Sequence, residues 1–414
     1  MKILQVNNYH YRRGGAEACY FDTAELLKKG GHEVAHFSMH HPKNQQGAWN
    51  GYFADNSDFN NKYSFVDKTK AVGRIFYNRE AKKKIRKLIK EFRPDIAHLH
   101  NIYHHLSPSI IDELKKQGVP TVMTLHDYKL ICPNYNLFAH GEIWERNKKH
   151  KYYRCFLDKC VKDSYAKSLV CTAEAYLHYF LGIYQKADAF ISPSRFLIDK
   201  FEKFGFNKKI YHLPNPILEQ DTLPIKEEKK SERYILYFGR LSREKGLKEL
   251  IEAYGIFIKR AGEKDIKLKI TGDGPQKEEL EKLVQEKGLE DRVVFTGRKE
   301  KEDLREIVKE AMIAVFPFKW YENYPYSILE AQQAGKAVIS SDLGGANELI
   351  KNGYNGFLYT AGNVEELSVL MEKLAFDPLL RKEAGEKAQR TVAQRNDKDN
   401  FYEQLISIYN KFIF

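Results

Sequence analysis

The sequence predicts an α/β protein of two doubly wound parallel-sheet domains. Two observations carry this. Short runs rich in Val, Ile and Phe are hydrophobic at consecutive positions, the mark of strands covered on both faces. Segments with helical periodicity stand between them, and the whole rhythm restarts after residue 230.

In order, the first-half runs are Ile3–Val6, Val34–Phe37, Ile96–Leu99, Thr121–Leu125, Ala189–Ile191 and Ile210–Leu213. Ile85, Leu88, Ile89 and Phe92 follow helical spacing, and Pro94-Asp95 then breaks into the next strand. Residues 128–185 depart from the rhythm. They are aromatic and basic, carry Cys132, Cys155, Cys160 and Cys171, and read as an insertion with a helix over Ser168–Tyr184. The second-half runs are Tyr234–Phe238, Ile266–Ile270, Val293–Phe295, Ile313–Phe316, Ala337–Ile339 and Phe357–Tyr359, separated by helices such as Gln276–Lys287 and Lys301–Ala311. Between the halves, 219–232 has Pro224, mixed charge and almost no bulky apolar residues, so it reads as a linker. The expected domains are therefore 1–218 and 233–395, with a last apolar-spaced helix in 396–414.

Composition narrows the class. The 414 residues are 43% hydrophobic and 30% charged, which excludes disordered, collagen-like and fibrous chains. No apolar run reaches the roughly 18 residues of a membrane span. The apolar core at Ile3–Val6 is too short for a secretory signal, so a cytoplasmic protein is expected. Five cysteines, an odd number, argue against a disulfide framework, and free thiols are expected at Cys132, Cys155 and Cys160. The net charge of +12 suits nucleic acid, anionic membrane or phosphorylated ligands, and no nucleic-acid motif accompanies it. Lys82–Lys90 form a basic face opposite an apolar stripe. That is a candidate for peripheral contact with the inner face of the cell membrane, although a sheet-covering helix with a solvated face explains it more simply.

The most informative stretch is Val315–Ile339. A buried strand ends near Pro317, a loop carries Glu322, Pro325 suits the first turn of a helix, and Glu330 lies inside that helix. In open α/β sheets ligands bind beyond the carboxyl ends of strands. The N–H groups of Tyr326, Ser327 and Ile328 would there form an anion site aided by the helix dipole.

Glu322, seven residues, Glu330, then Ala331 and Gly335-Lys336-Ala337-Val338 resemble the signature of the retaining GT-B glycosyltransferases of family four (glycosyl transferases group 1). Further segments match in the right order over nearly the whole chain: Gly14-Gly15-Ala16-Glu17, Pro94–Asn101, Thr124–Asp127, Leu213–Pro216, Gly239–Gly246, Gly272–Pro275 and Phe295–Gly297. The resemblance implies a GT-B fold, two Rossmann-like domains facing a central cleft. It implies a nucleoside-diphosphate sugar as donor, with no other cofactor and no metal. The acceptor would be a saccharide or lipid-linked saccharide. It assigns catalytic roles to Glu322 at the donor sugar, to His126, and to Arg240 and Lys245 at the leaving diphosphate. Donor contacts would come from Gly15, Gly239, Gly272, Gly274, Thr296, Gly297, Arg298, Tyr326, Ser327, Ile328 and, at the ribose, Glu330. Arg12 and Arg13 are candidates for an acidic acceptor. After Glu322 stands Asn323-Tyr324-Pro325 where the family often has Gly-Phe-Gly, a change that keeps the helix start and reshapes the sugar pocket. A non-hydrolysing sugar-nucleotide epimerase and an inactive nucleotide-sugar-binding protein remain as alternatives.

Overall fold

The structure, a computed structural model, describes residues 1–56, 73–218, 233–262 and 265–413. The expected linker at 219–232 lies outside the described residues. The chain forms two compact units: 1–140, 144–218 and 398–414 make the first, and 219–397 with 141–143 make the second.

The first unit contains β1 (Lys2–Val6), β2 (Glu33–Phe37), β3 (Ile96–Leu99), β4 (Thr121–Thr124), the two-residue strand β5 (Phe138–Ala139), β7 (Ala189–Ser192) and β8 (Ile210–His212), while the two-residue strand β6 (Glu142–Ile143) falls in 141–143. Six of these form one parallel sheet in the order β2-β1-β3-β4-β7-β8. The central strands β3, β4 and β7 are buried at every residue, as consecutive apolar runs require.

Helix Arg79–Phe92 turns Ala81, Ile85, Leu88, Ile89 and Phe92 inward. Two of its cations are committed within the unit: Lys84 pairs with Glu80 and Asp55, and Arg86 forks onto Glu113, while Lys83, Lys87 and Lys90 are exposed. With its apolar stripe buried, this helix is the sheet-covering element and offers no apolar face to a membrane.

The last helix, Lys398–Tyr409, belongs to the first unit. Phe401, Leu405, Ile408 and Tyr409 join Ile3, Leu27, Ile96, Val122 and Ile191 in one core cluster. The Tyr409 hydroxyl lies 2.7 Å from His98 Nδ1, beneath the carboxyl end of β3.

The segment after β4 reverses through left-handed residues such as Tyr135, Leu137, Lys149 and Lys159. It carries helices Tyr153–Leu157 and Tyr165–Phe180. Contrary to the expectation of free thiols, Cys155 and Cys160 form a disulfide. The helix ending at Leu157 is followed by Lys159 with φ 48°, and the Cys160 N–H returns to the Cys155 carbonyl at 2.9 Å. That local turn brings the two Cα atoms to 4.9 Å, inside the bridging range. Cys132 stays a thiol, donates to Asn134 Oδ1 at 3.0 Å, and is pushed up to about 12 by burial.

The second unit holds β9 (Arg233–Phe238), β10 (Ile266–Thr271), β11 (Val293–Gly297), β12 (Ile313–Phe316), β13 (Ala337–Ser341) and β14 (Phe357–Tyr359). They form a parallel sheet in the order β11-β10-β9-β12-β13-β14, with helices between successive strands. Numbered from β9 this is 3-2-1-4-5-6, the nucleotide-binding arrangement of doubly wound sheets.

Candidate functional site

The winding direction of the second sheet reverses between β9 and β12. A ligand of such a sheet sits outside the carboxyl ends of those two strands. The segments leaving them are Gly239–Gly246 and Pro317–Pro325.

The first segment is tied down by backbone. The Tyr237 hydroxyl donates to the Arg240 carbonyl at 2.9 Å, and the Leu241 N–H donates to the Asp273 carbonyl at 3.0 Å. The Gln276 N–H reaches back to Leu241 at 3.1 Å. A Cβ on Gly272 would stand 1.9 Å from the Gly239 carbonyl oxygen, and one on Gly274 would stand 2.3 Å from that of Leu241. Packing of these two loops on each other therefore already demands both glycines. The Arg240 side chain is exposed.

A single turn, Arg243–Lys245, then ends at Gly246, whose φ is +72°. A Cβ there would be 1.8 Å from the Pro317 carbonyl oxygen, so Gly246 sets how closely the two segments approach. The consequence is an ion pair between Lys245 Nζ and Glu322 Oε1. Lys245 Nζ also lies 5.2 Å from the ring centroids of both Phe318 and Trp320, within cation–π range. The Trp320 indole N–H donates to the same Glu322 oxygen at 3.0 Å. Glu322 is buried. The Tyr237 hydroxyl is pushed well above its usual range, first by burial and then by the Glu322 and Glu244 carboxylates.

The loop bearing Glu322 is held from behind by residues that carry no motif of their own. The Gly345 N–H donates to the Glu322 carbonyl at 2.6 Å, and a Cβ on Gly345 would lie 1.7 Å from the Asn323 carbonyl oxygen. Gly344 has φ +69° and abuts the Glu322 backbone. Tyr324 is buried, and its hydroxyl accepts from Asn396 Nδ2 at 2.8 Å. The signal lay in the Gly-Gly pair after a strand, and it becomes readable once β13 is known to neighbour β12.

Helix Tyr326–Gln333 starts one residue later than expected. Pro325 is its N-cap, in an extended conformation, and not its first turn. The Ile328 N–H donates to the Pro325 carbonyl at 3.1 Å, so it is not one of the outward donors the sequence suggested. Ser327 sits at the second helical position. Glu330 is exposed one turn into the helix.

Thr296, Gly297 and Arg298 are not brought beside Glu322. Thr296 and Gly297 end the edge strand β11, which β10 separates from β9, and Arg298 follows it. The Thr296 hydroxyl donates to the Thr271 hydroxyl at 2.9 Å.

In the first unit His126 follows β4, and its Nε2 lies 2.9 Å from His100 Nδ1 with the two rings stacked. His100 Nε2 is 3.0 Å from the Gln5 amide oxygen, which only accepts. His100 therefore carries its proton on Nε2, and His126 donates from its own Nε2 to His100 Nδ1. Burial lowers His126 to about 4 and raises its neighbour Asp127 to about 6, although the Lys129 N–H donates to that carboxylate at 2.9 Å. Displaced groups of this kind at a strand end make Asp127, beside His126, a further candidate that the sequence reading did not single out.

Among the described residues, Cys19, His100 and His126 are the group whose ligating atoms are close enough to share a metal ion, all within 4.8 Å. Gly14 is extended, with φ −164°, and a Cβ there makes one ordinary contact, so the fold itself does not need glycine at that position. Gly15 opens the following helix. Arg12 pairs with Asp22 at 2.6 Å, and Arg13, exposed, lies over the Tyr9 ring. A cavity of about 480 Å³ opens on the same loop, lined by His10, Arg12, Phe21, Lys28, His36 and Trp49.

Comparison with known proteins gives a consistent result. The Glycosyltransferase Family 4 model matches residues 13–219, and the model for glycosyl transferases group 1 matches 219–391. The chain is 32% identical over 177 residues to an alpha-D-kanosaminyltransferase of Streptomyces kanamyceticus, which is 43% of this chain and 45% of that protein. It thus spans less than half the length of that relative. It is 26% identical over 362 residues to an uncharacterised 42.6 kDa protein in the cps region of Klebsiella pneumoniae, covering 84% of this chain and 87% of that one. Among solved structures, a sucrose-phosphate synthase from Thermosynechococcus elongatus superposes with TM-score 0.69 at 18% identity, covering 99% of this chain and 98% of that one. Anabaena HepE in complex with UDP-glucose gives 0.68 at 20% identity, covering 99% and 100%.

Proposed function

The chain belongs to the glycosyl transferases of group 1 and family 4, and on that premise we propose that it moves a hexosyl group from a nucleoside-diphosphate sugar to an acceptor hydroxyl, with retention and without a metal ion. The observation that carries this reading is the pairing of Lys245 with Glu322 at the reversal point of the second sheet. We read Lys245 as a cation for a diphosphate and Glu322 as a carboxylate for sugar hydroxyls, a reading supported by their lying side by side where a doubly wound sheet binds its ligand.

In this reading the diphosphate sits over the Gly239–Lys245 segment and the start of helix Tyr326–Gln333. Arg240, Lys245 and the helix dipole meet its negative charge. Lys245 turns from Glu322 to the phosphate as the donor enters, which releases Glu322 for the sugar. Glu330 takes the ribose hydroxyls. The bond from C1 to the leaving phosphate oxygen breaks while C1 bonds the acceptor oxygen on the same face. The acceptor's proton passes to the departing phosphate. In the first unit, burial holds His126 neutral at physiological pH, so it can offer a ligand a hydrogen bond and not a charge. Fixed cations do the work a divalent ion would do, so none is required.

The acceptor is a saccharide or lipid-linked saccharide hydroxyl, in bacterial surface polysaccharide assembly. The long match to the Klebsiella cps-region protein supports that setting. HepE was solved with UDP and with UDP-glucose, which supports uridine donors as the first to test. The test is a thermal-shift screen of the full chain against UDP- and GDP-sugars, followed by transfer assays with and without EDTA. Binding confined to the folded form raises its stability, by about 2.7 kcal/mol at a hundredfold excess over Kd. Stabilisation by one nucleotide sugar and EDTA-insensitive transfer are expected. No stabilisation by any of them, or loss of transfer in EDTA, rejects the reading. Turnover of the sugar nucleotide without any acceptor would instead identify an epimerase.

A further inference from the structure

Helix Tyr165–Phe180 is built inside out. The side chains it buries are polar: Ser168, Thr172, Glu174 and His178. Each has at least one polar partner within the first unit. Ser168 Oγ accepts from the Val161 N–H at 3.0 Å, and the Thr172 hydroxyl donates to the Tyr152 carbonyl at 3.4 Å. Glu174 pairs with buried Lys129 at 2.7 Å, and His178 Nε2 donates to the Phe76 carbonyl at 2.8 Å. These contacts fix which face of the helix points in.

The outward face is consequently apolar. Tyr165, Leu169 and Leu177 recur at helical spacing and run on to Phe180 and Leu181, with Phe180 77% exposed and Leu169 53%. Leu157, 59% exposed, and Tyr153 add to it from the short helix that the Cys155–Cys160 disulfide closes. Most large apolar side chains exposed among the described residues fall in this one segment, which soluble surfaces do not ordinarily tolerate without a partner.

The charge around the stripe selects the partner. Asp158 is taken by Arg146 and Glu145 by Lys148 and Lys200, while exposed Asp163 lies 2.7 Å from His140 Nδ1. Lys149, Lys151, Lys162 and Lys167 remain exposed, and Lys159 Nζ lies 4.4 Å over the Tyr165 ring. A second copy of this chain would set lysines against lysines. Tyr, Phe and Leu on one face with lysines beside them suit the headgroup boundary of an anionic bilayer. We infer that the face formed by Tyr153, Leu157, Tyr165, Leu169, Leu177 and Phe180 is a membrane-docking surface for anionic lipid, with helix Tyr165–Phe180 lying flat in the headgroup layer.

The experiment is flotation of the full-length oxidised chain with vesicles of phosphatidylcholine and one-third phosphatidylglycerol at low salt, in parallel with light-scattering mass measurement. The unmodified chain floats with these vesicles, and less so in high salt or with phosphatidylcholine alone. The double variant Leu169→Glu/Phe180→Glu, at exposed positions, keeps its thermal midpoint and loses flotation about tenfold or more. Lys83→Glu/Lys87→Glu, on the sheet-covering helix Arg79–Phe92, keeps most of it. Absence of flotation at low salt overturns the inference, as does flotation unchanged in the Leu169/Phe180 variant. A dimer that this variant dissociates without changing flotation assigns the face to a second copy and also overturns it.

Discussion

At the scale of single residues, the contact that matters most is the one between Lys245 and Glu322. Each side chain is less than one-fifth exposed, so neither charge is freely solvated and each depends on the other. Phe318 and Trp320 add favourable faces for the ammonium, and the Trp320 N–H holds the carboxylate. The two substitutions should therefore differ. Glu322→Gln keeps an acceptor for Trp320 and shortens no side chain, so it should cost about 1 kcal/mol of stability or less, while transfer falls 10- to 100-fold, about the worth of one charge-assisted hydrogen bond. Lys245→Ala strands a buried carboxylate, which costs about 1–3 kcal/mol, and removes a fixed cation, which lowers kcat about 10²- to 10³-fold. Urea denaturation and steady-state transfer, measured on the same preparations, check both. Equal stability loss in the two variants, or near-normal kcat in Lys245→Ala, contradicts this assignment.

At the scale of elements, the strands were legible because a strand covered on both faces leaves a contiguous apolar run. Ile96–Leu99, Ile313–Phe316 and Phe357–Tyr359 stand where the runs placed them. The Glu322 loop and Lys245 were legible through resemblance, since motifs at strand ends keep their order. Other features depend on what folding brings near. Gly344-Gly345 supports Glu322 only because β13 pairs beside β12. Periodicity finds a stripe on helix Tyr165–Phe180 and cannot say whether it faces in or out; buried Lys129 decides that from another segment. The Cys155–Cys160 bridge needed the left-handed turn at Lys159, which no spacing rule reveals. That bridge has a direct chemical readout. Of the five cysteines, Cys19, Cys132 and Cys171 are free, so the denatured unreduced chain should take up three alkyl groups and the reduced chain five. Five before reduction excludes the bridge. The Gly246 turn has an energetic readout. Gly246→Ala puts a Cβ at 1.8 Å from the Pro317 carbonyl oxygen on a residue with φ +72°, so at least about 2 kcal/mol should be lost in urea denaturation. A loss below about 0.5 kcal/mol would mean the two loops do not meet as described.

At the scale of the whole molecule, the two units share an architecture and differ in how they answer to acid. All fourteen histidines lie between His10 and His212, in the first unit, and the second unit has none. Several are buried away from water. Burial lowers His98 to about 3 and His10 to about 4, and it pushes His36 and His100 well below the usual range. A histidine held neutral in the folded unit and free to protonate when unfolded adds stability that is complete above pH 6.5. That stability is lost as pH falls toward the folded value. At pH 5 each such residue costs about 2 kcal/mol, since each unit of displacement is worth about 1.4 kcal/mol. Asp127, raised to about 6, has the opposite sign and returns about 1.4 kcal/mol over the same interval. Four deeply buried histidines outweigh one carboxyl, so the first unit should weaken between pH 7 and pH 5 while the second holds. Calorimetry across that range should show one transition moving down and one nearly fixed. Trp49 and Trp144 report the first unit, and Trp320 reports the second. His98→Gln, which retains a donor and an acceptor for Tyr409 and Thr124, should flatten the pH dependence of the moving transition by about one proton. Two transitions that shift together, or a slope unchanged by His98→Gln, would place the acid sensitivity outside this histidine cluster.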